Sequence, residues 1–407
     1  MGGNRLRVTL EQEPDGAGTR IGWPTAASAA GALLAACALV GCGSDEDPAR
    51  SGPDRPAGAG PERRAAPPRP ASAPRSTRAA VDRLTLRQQV GQVIVLAFAG
   101  TEPPAYVRRA LREGRTAGAI LFGQNVQSAG QLRALTAALQ QAGGGSALVM
   151  TDQEGGPIRI VPFAAPSVGQ AAQATPERAA AEARAAARDL RGLGINVTLT
   201  PVADVISAPD AALAGRAFSG DAATVARRVR AAVMQYGAGR VGATAKHFPG
   251  FGVATANTDD QPVTVGRLGA GDLAPFKSAI AADVPLIMAS HALYPALDGE
   301  RIASQSARIL KGLLRARLRF RGVVITDSME AEAVTDRSSI TVAAERALLA
   351  GSDLLLFTGD GSFRPVSQHL LALAQKSPRV RARVREAAGR VLALKQRLGL
   401  RAPPAAR

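Results

Sequence analysis

Short, continuous runs of aliphatic residues recur eight times in the chain and alternate with longer segments of helical periodicity. Because a strand that is buried on both faces reads as a continuous apolar run, the pattern predicts parallel strands covered by helices. Eight such units predict a (β/α)8 TIM-type barrel, an α/β fold; an open, doubly wound sheet is the alternative. The predicted strands are Gln92–Ala97, Gly118–Phe122, Ala147–Thr151, Asn196–Leu199, Ala243–Lys246, Pro285–Ser290, Gly322–Thr326 and Asp353–Phe357.

The segments between these runs carry helix signals. Thr175 and Pro176 form a plausible N-cap and first helical residue, and the Ala-rich stretch that follows ends near Gly192. Apolar residues at helical spacing predict one helix before the seventh strand and another that closes the domain. These positions are Leu310, Leu313, Leu314 and Leu318, and then Val380, Val384, Ala388, Val391 and Leu398.

Polar residues whose side chains could take part in catalysis or binding follow the predicted strands at the point where each strand ends. Asp152 ends the third run, Lys246 and His247 end the fifth, His291 ends the sixth and Asp327 ends the seventh. The carboxyl ends of the strands in such a barrel share one face, where active sites lie. We therefore expect these side chains to meet at one mouth, with His291 shaping the site rather than reacting.

The first 42 residues resemble an export signal. Residues 23–41 form an apolar, small-residue run that follows several arginines, which is typical of a signal peptide. The run ends in Leu-Val-Gly-Cys, which resembles the bacterial lipobox and makes Cys42 the predicted lipidated first residue of the mature protein. Cys37 is the alternative lipidation site, and an uncleaved membrane anchor is the alternative reading. Both readings predict an extracytoplasmic protein attached to the cell membrane.

Residues 43–80 are rich in Pro, Ala, Gly and Arg and have no hydrophobic period. A segment of this composition cannot bury a core, so we expect a disordered, semi-extended tether. The predicted organisation is therefore a lipoprotein signal peptide over 1–42, a linker over 43–80 and a single barrel domain over 81–407.

The amino-acid composition narrows the range of possible binding partners and cofactors. The formal net charge is +17, and nearly all the cations are arginine, which indicates either a compositional bias or attraction to an anionic envelope. Basic and aromatic residues are not interleaved, so we expect no nucleic-acid partner. The two cysteines lie near the N-terminus, which excludes a cysteine metal site elsewhere. No motif indicates a metal, nucleotide or flavin, and we expect a monomer without a cofactor.

Four motifs carry a resemblance to a known family. They are Lys-His-Phe-Pro-Gly-Phe-Gly at 246–252, Asp-Gln-Glu-Gly-Gly at 152–156, Gly-Arg-Ala-Phe at 215–218 and Ile-Thr-Asp-Ser-Met at 325–329. In this order they resemble the signatures of glycoside hydrolase family 3, in particular its bacterial β-N-acetylhexosaminidases. The resemblance extends from about Val90 to Leu398.

The resemblance implies a retaining exo-glycosidase that forms a glycosyl-enzyme. Asp327 matches the nucleophile of the family, although an aspartate there could also cap the following helix. Asp152, Arg216, Lys246 and His247 match positions that bind the sugar, and their carboxylates and cations suit sugar hydroxyls. Lys246 could instead, or in turn, form an ion pair with Asp152 or Asp327.

One departure concerns the acid/base residue. The loop that follows Lys-His-Phe-Pro-Gly-x-Gly in the acetylglucosaminidase branch ends in Asp-Ser-His, whose His is the acid/base. Here the triplet is Asn257-Thr258-Asp259, without a His. Asp259, or less favourably Asp260, is then the candidate acid/base, provided that the site raises its pKa. Alternatively the loop only binds the substrate, and the protein is a slow or silent hydrolase. Taken alone, the segment 257–260 could also be a solvated turn.

A second departure lies after the third strand. The family often has Asp-Gln-Glu-Gly-Gly-x-Val-x-Arg, whereas Ile160 holds the Arg position here and Arg159 is displaced by one residue. In extended backbone that shift turns the Arg side chain to the opposite side.

The resulting hypothesis is hydrolysis of β-linked N-acetylhexosamine in peptidoglycan-derived or related glycans, with a small glycan as the substrate. Two alternatives remain: a catalytically weak or silent glycan-binding lipoprotein on the same barrel, and a family 3 β-glucosidase. The second alternative shares the nucleophile and differs in its sugar contacts.

The lipobox yields a direct test. Cys42→Ser should release the protein from membranes or leave an unprocessed precursor, because the predicted lipidation site is lost. Membrane fractionation and the mass of the mature protein measure this, with Cys37→Ser as the matched control. Unchanged mass and full membrane retention of the Cys42 variant would contradict the assignment.

Overall fold

Eight parallel strands close into a barrel in the part of the chain that the structure, a computed structural model, describes. That part is residues 75–404 except residue 360. The barrel strands are β1 (Ile94–Leu96), β2 (Gly118–Leu121), β3 (Leu148–Thr151), β6 (Val197–Thr198), β7 (Gly242–Phe248), β8 (Leu286–Ala289), β11 (Val323–Ser328) and β12 (Leu354–Phe357). They pair in the order β1-β12-β11-β8-β7-β6-β3-β2, and β2 pairs with β1 to close the ring.

Each predicted strand coincides with one barrel strand, so the closed barrel is confirmed over the open sheet. The strands are buried almost throughout, which explains why they read as continuous apolar runs rather than alternating ones. The fifth barrel strand, β7, is longer than its predicted run, and it carries Lys246 and His247 inside the strand.

Two short antiparallel hairpins extend loops above the carboxyl ends of the barrel strands. The first, β4 (Gln153–Gly155) with β5 (Ile158–Arg159), follows β3 directly. The second, β9 (Leu293–Tyr294) with β10 (Asp298–Ile302), follows β8. Both hairpins lie in loops that lead away from strand ends bearing predicted site residues.

Helices surround the barrel, and their ends follow the sequence signals. Thr175 caps α5 by accepting a hydrogen bond from the amide of Arg178, with Pro176 as the first helical residue. The predicted apolar faces are buried, except that Leu318 is half-buried. The helices are α1 (Arg75–Asp82), α2 (Leu86–Gly91), α3 (Ala105–Arg112), α4 (Ala129–Ala142), α5 (Pro176–Gly192), α6 (Ala222–Ala238), α7 (Ala274–Ala281), a π-type helix (Arg308–Arg317), α8 (Glu332–Thr335), α9 (Ile340–Ala350), α10 (Phe363–Lys376) and α11 (Pro378–Arg397).

Helical structure is present before residue 81, where the sequence places the start of the barrel domain. Helix α1 begins at Arg75, and Val81 and Leu84 pack on Ala388 and Leu392 of α11. The predicted signal peptide, Cys37, Cys42 and most of the predicted linker lie outside the described residues. Among the helices within the described residues, none has the length and apolarity to cross a membrane.

A lysine is buried at the amino-terminal side of the barrel. Lys395 of α11 is 1% exposed, and its Nζ donates a 2.6 Å hydrogen bond to Oε1 of Gln92, which precedes β1. Burial lowers the pKa of Lys395 to about 7 from its ordinary value of 10.5, since a neutral amide compensates the charge poorly. The unfolded chain therefore binds this proton more tightly than the folded one does.

This linkage predicts a pH-dependent stability. Between about pH 7 and 10 the unfolded state holds more protons, so the wild type should gain stability relative to Lys395→Met as pH rises. The gain should be at most about 1.4 kcal/mol per pH unit in the free energy of unfolding. Urea unfolding at several pH values measures it, with the exposed Lys376→Met as the control. A pH-independent difference between wild type and Lys395→Met would contradict the lowered pKa.

Candidate active site

The predicted site residues meet at one mouth of the barrel. Asp152 follows β3 directly, Lys246 and His247 lie near the end of β7, and Asp327 lies near the end of β11. Arg216 enters from the loop between β6 and α6 and interacts electrostatically with both Asp152 and Asp327. Parallel closure thus brings together residues that are far apart in the sequence.

A buried ion network forms the floor of the site. Lys246 Nζ donates to Asp152 Oδ1 at 2.6 Å and contacts Glu154 Oε1 at 2.7 Å. Arg216 donates to both oxygens of Glu154, at 2.9 and 2.7 Å. Two cations thereby face two carboxylates, so the charges are paired as buried charges must be. The ion pair between Lys246 and Asp152 that the sequence left open is present.

Glu154 is a site residue that the sequence analysis did not single out. Burial opposes its ionisation, but the charges of Arg216 and Lys246 outweigh burial and lower the pKa of Glu154 to about 2. Because it fixes both cations, Glu154 sets which of their N–H groups remain for a ligand. Its position inside the Asp-Gln-Glu-Gly-Gly motif, two residues beyond Asp152, was the available signal.

His247 is oriented by Asp204, which the sequence analysis missed. Asp204 Oδ2 lies 2.8 Å from His247 Nδ1, and Asp204 also accepts from the amides of His247 and Phe251. This contact arises because the segment after β6 pairs with Lys246 through Val202, which places Asp204 beside His247. The buried carboxylate keeps a proton on Nδ1 and turns Nε2 towards Asp327.

Asp327 is placed and charged as a nucleophile would be. Its side chain is 18% exposed, and its Oδ2 lies 3.9 Å from His247 Nε2. Burial favours the neutral form, but electrostatic interactions with His247, His291 and Lys246 and the hydrogen bond donated by the amide of Ser328 outweigh burial. They hold the pKa of Asp327 below its usual range, so the carboxylate is ionised at neutral pH.

Asp259 faces the same mouth from the loop that follows β7, and its pKa is shifted in the opposite direction from that of Asp327. Burial, followed by the negative charge of Asp327, raises the pKa of Asp259 to about 7. The turn that carries it is docked on α8, because the amides of Glu332 and Ala333 donate to the carbonyls of Asp259 and Thr258. Asp260, the second candidate, is exposed.

The remaining polar residues near the mouth have structural contacts. His291 is fully buried, its Nδ1 lies 2.7 Å from Ser304 Oγ, and burial lowers its pKa, which suits a neutral residue that shapes the site. Arg159 donates to the carbonyl of Ala164, so the displaced arginine ties down its own loop. Ile160 donates its amide to the Asp152 carbonyl.

Comparison with known proteins places the chain in a family. The model of the glycosyl hydrolase family 3 N-terminal domain matches residues 85–394, most of the chain. The chain belongs to glycosyl hydrolase family 3. The resemblance carried by the four motifs is thereby confirmed, and so is the assignment of the barrel to a glycoside hydrolase.

Similar family 3 proteins include one relative described as secreted and two of solved structure. An uncharacterised secreted glycosyl hydrolase of Arthroderma benhamiae is 31% identical over 335 residues, which cover 77% of this chain and 94% of that protein. A family 3 β-N-acetylglucosaminidase of Paenibacillus sp. str. FPU-7 is 33% identical with a TM-score of 0.74, over 78% of this chain and 63% of that one.

A β-N-acetylhexosaminidase of Beutenbergia cavernae DSM 12333 is 31% identical with a TM-score of 0.72. The match covers 77% of this chain and 99% of that one, whereas the match with the Paenibacillus enzyme covers less than two thirds of that enzyme.

Proposed function

We propose that this family 3 hydrolase is a retaining β-N-acetylhexosaminidase in which Asp327 is the nucleophile and Asp259 the acid/base. The observation that carries the proposal is the opposite shift of two carboxyl pKa values at one mouth. Asp327 is held ionised, whereas Asp259 is held protonated up to about pH 7. When the surroundings of two carboxyls separate their pKa values, the protonated carboxyl can act as the acid and the ionised carboxyl as the nucleophile.

The reaction takes two steps with one proton in transit. In the first step an Asp327 oxygen forms a bond to the anomeric carbon while the bond to the leaving oxygen breaks, and Asp259 gives its proton to that oxygen. In the second step water attacks the anomeric carbon, Asp259 takes a proton from the water, and the bond to Asp327 breaks. Both aspartates return to their starting protonation states, and the net anomeric configuration is retained.

The floor of the site supplies the sugar contacts. Asp152, which gives one oxygen to Lys246, keeps its other oxygen for a sugar hydroxyl, and Arg216 and Lys246 offer N–H groups that Glu154 does not occupy. His247, with its Nδ1 directed at Asp204, presents Nε2 at 3.9 Å from Asp327 Oδ2. These four residues are the proposed substrate-binding set.

The proposed substrate is a β-linked N-acetylhexosamine in peptidoglycan-derived or related glycans, outside the cytoplasmic membrane. Support comes from the hexosaminidase activity named for the Beutenbergia and Paenibacillus proteins and from the secreted relative in Arthroderma. Lipidation at Cys42, upstream of the described residues, would hold the enzyme at the membrane surface. We propose a monomer that needs no cofactor.

Removal of the nucleophile is the first test. Asp327→Ala should abolish turnover of a chromogenic N-acetyl-β-glucosaminide, because no carboxylate remains to form the glycosyl-enzyme. Stability should change little, since a partly exposed pocket carboxylate contributes little packing. Full activity in a folded variant would refute the role of Asp327. Turnover of a β-glucoside but not of the N-acetyl substrate would favour the β-glucosidase alternative, and no turnover by wild type would favour a glycan-binding protein.

The acid/base role has a separate signature. Asp259→Ala should slow substrates with poor leaving groups by about 10²–10⁴, whereas activated aryl glycosides should be much less affected in the first step. Azide should partly rescue the second step, because it attacks without a general base. The wild-type kcat/KM should fall as pH rises through about 7, when Asp259 loses its proton, and this limb should vanish in the variant.

Asp260→Ala is the matched comparison for this test, since its carboxyl lies one residue away but is exposed. If Asp259→Ala and Asp260→Ala show the same leaving-group dependence as wild type, the acid/base lies elsewhere.

A further inference from the structure

The carboxyl of Asp259 has a fixed partner within its own turn. Asn257 Nδ2 donates to Asp259 Oδ2 at 3.1 Å, and the amide of Asp259 donates back to Asn257 Oδ1 at 3.3 Å. The pair is therefore reciprocal, and it holds both the backbone and the side chain of Asp259. Oδ1 of Asp259 accepts no hydrogen bond from any residue in the described part of the chain, so the two carboxyl oxygens are not equivalent.

The turn that carries the pair is held on both sides. The carbonyl of Asn257 accepts from the amides of Asp260 and Gln261, each at 3.3 Å. The carbonyls of Thr258 and Asp259 accept from Ala333 and Glu332 of α8, each at 3.1 Å. Since α8 follows the strand that bears Asp327, the position of the Asn257–Asp259 pair is coupled to that of the nucleophile.

We propose that Asn257 is a positioning residue that makes Oδ1 of Asp259 the oxygen that carries and delivers the proton. The side-chain N–H of Asn257 can only donate a hydrogen bond, so it must face a carboxyl oxygen that accepts one. In a protonated carboxyl, the better acceptor is the carbonyl oxygen, which carries no proton. The hydroxyl proton is thus left on Oδ1. The inference rests on the proposed acid/base role of Asp259.

Other charged groups near Asp259 act on its pKa without selecting an oxygen. Burial and Asp327 raise that pKa, while His247 and Arg216 lower it through space; Glu332 of α8 contacts the turn through its backbone amide. Asn257 supplies the hydrogen bond to the carboxyl, and this bond also lowers the pKa of Asp259. A change at Asn257 should therefore alter both the pKa and the direction of proton delivery.

Two isosteric substitutions separate these effects. Asn257→Asp replaces the donor by a second carboxyl about 3 Å away, and the two carboxyls then share one proton, so the basic limb of kcat/KM should move up by more than about one pH unit. Asn257→Leu removes the donor without adding charge, so the limb should move up by less. Gln261→Ala, an exposed residue of the same turn, should leave the profile unchanged.

The substrates provide the second readout. Asn257→Leu should lose rate chiefly with poor leaving groups, since the proton is no longer confined to Oδ1, and should retain most of its rate with activated aryl glycosides. Equal losses with both substrates, or a basic limb that stays in place in a folded Asn257→Asp variant, would overturn the inference.

The Asp259→Ala result separates this inference from the proposed function. If that variant keeps the wild-type leaving-group dependence, the proposed acid/base is wrong and the role of Asn257 falls with it. If Asp259→Ala behaves as an acid/base variant but the Asn257 variants do not move the limb, the inference about Asn257 alone is refuted.

Discussion

Closure of eight parallel strands directs all their carboxyl ends to one face, and every group of the candidate site depends on that constraint. Asp152, Lys246, His247 and Asp327 come from three strands that are distant in sequence, yet they lie within interaction range because each is placed at or near the end of its strand. A rigid, fully buried barrel fixes these positions without help from flexible loops. The loop that bears Asp259 adds the last group, and it too is tied to the barrel through α8.

The charged side chains of the site form two sets: in one, cations and carboxylates are paired, and in the other, two carboxyls interact with each other. The floor pairs Lys246 and Arg216 with Asp152 and Glu154, and this pairing holds three buried side chains and the half-buried Arg216 in place. Asp327 and Asp259 also interact with each other electrostatically. The pKa of Asp327 is lowered by the groups around it, whereas burial and the charge of Asp327 raise that of Asp259, so Asp327 is the more readily ionised of the two carboxyls.

Much of this arrangement could be predicted from the sequence because it depends on local pattern. The eight strands, the N-cap of α5 and the residues at strand ends are all encoded by short runs. Asp204 and Glu154 escaped prediction as site residues for a physical reason, since their roles depend on the contact partner. Asp204 reaches His247 only because the segment after β6 pairs with Lys246. No local pattern in the sequence specifies that pairing.

The neutral amide of Gln92 beside Lys395, more than 300 residues away in sequence, is a second case of a partner that only the fold reveals. The same holds for Asp353, which lies before β12 and is surrounded by Arg315, Arg383 and Arg390. Some of the many arginines therefore form ion pairs inside the protein. The sequence analysis considered a compositional bias and an anionic partner, and neither of these explanations indicates such internal pairs.

The replacement of the family histidine by Asp259 is physically consistent with the surroundings of the loop. Burial and the nearby Asp327 charge act in opposite directions on the pKa of an imidazole, because burial disfavours its cation while a neighbouring anion favours it. On a carboxyl the two influences act in the same direction, and together they raise the pKa of Asp259 from 3.8 to about 7. The ionised state of Asp327 therefore helps to keep the carboxyl of Asp259 protonated. Under the proposed function, Asn257 complements that carboxyl, because an amide N–H donates the hydrogen bond that a carboxyl oxygen accepts.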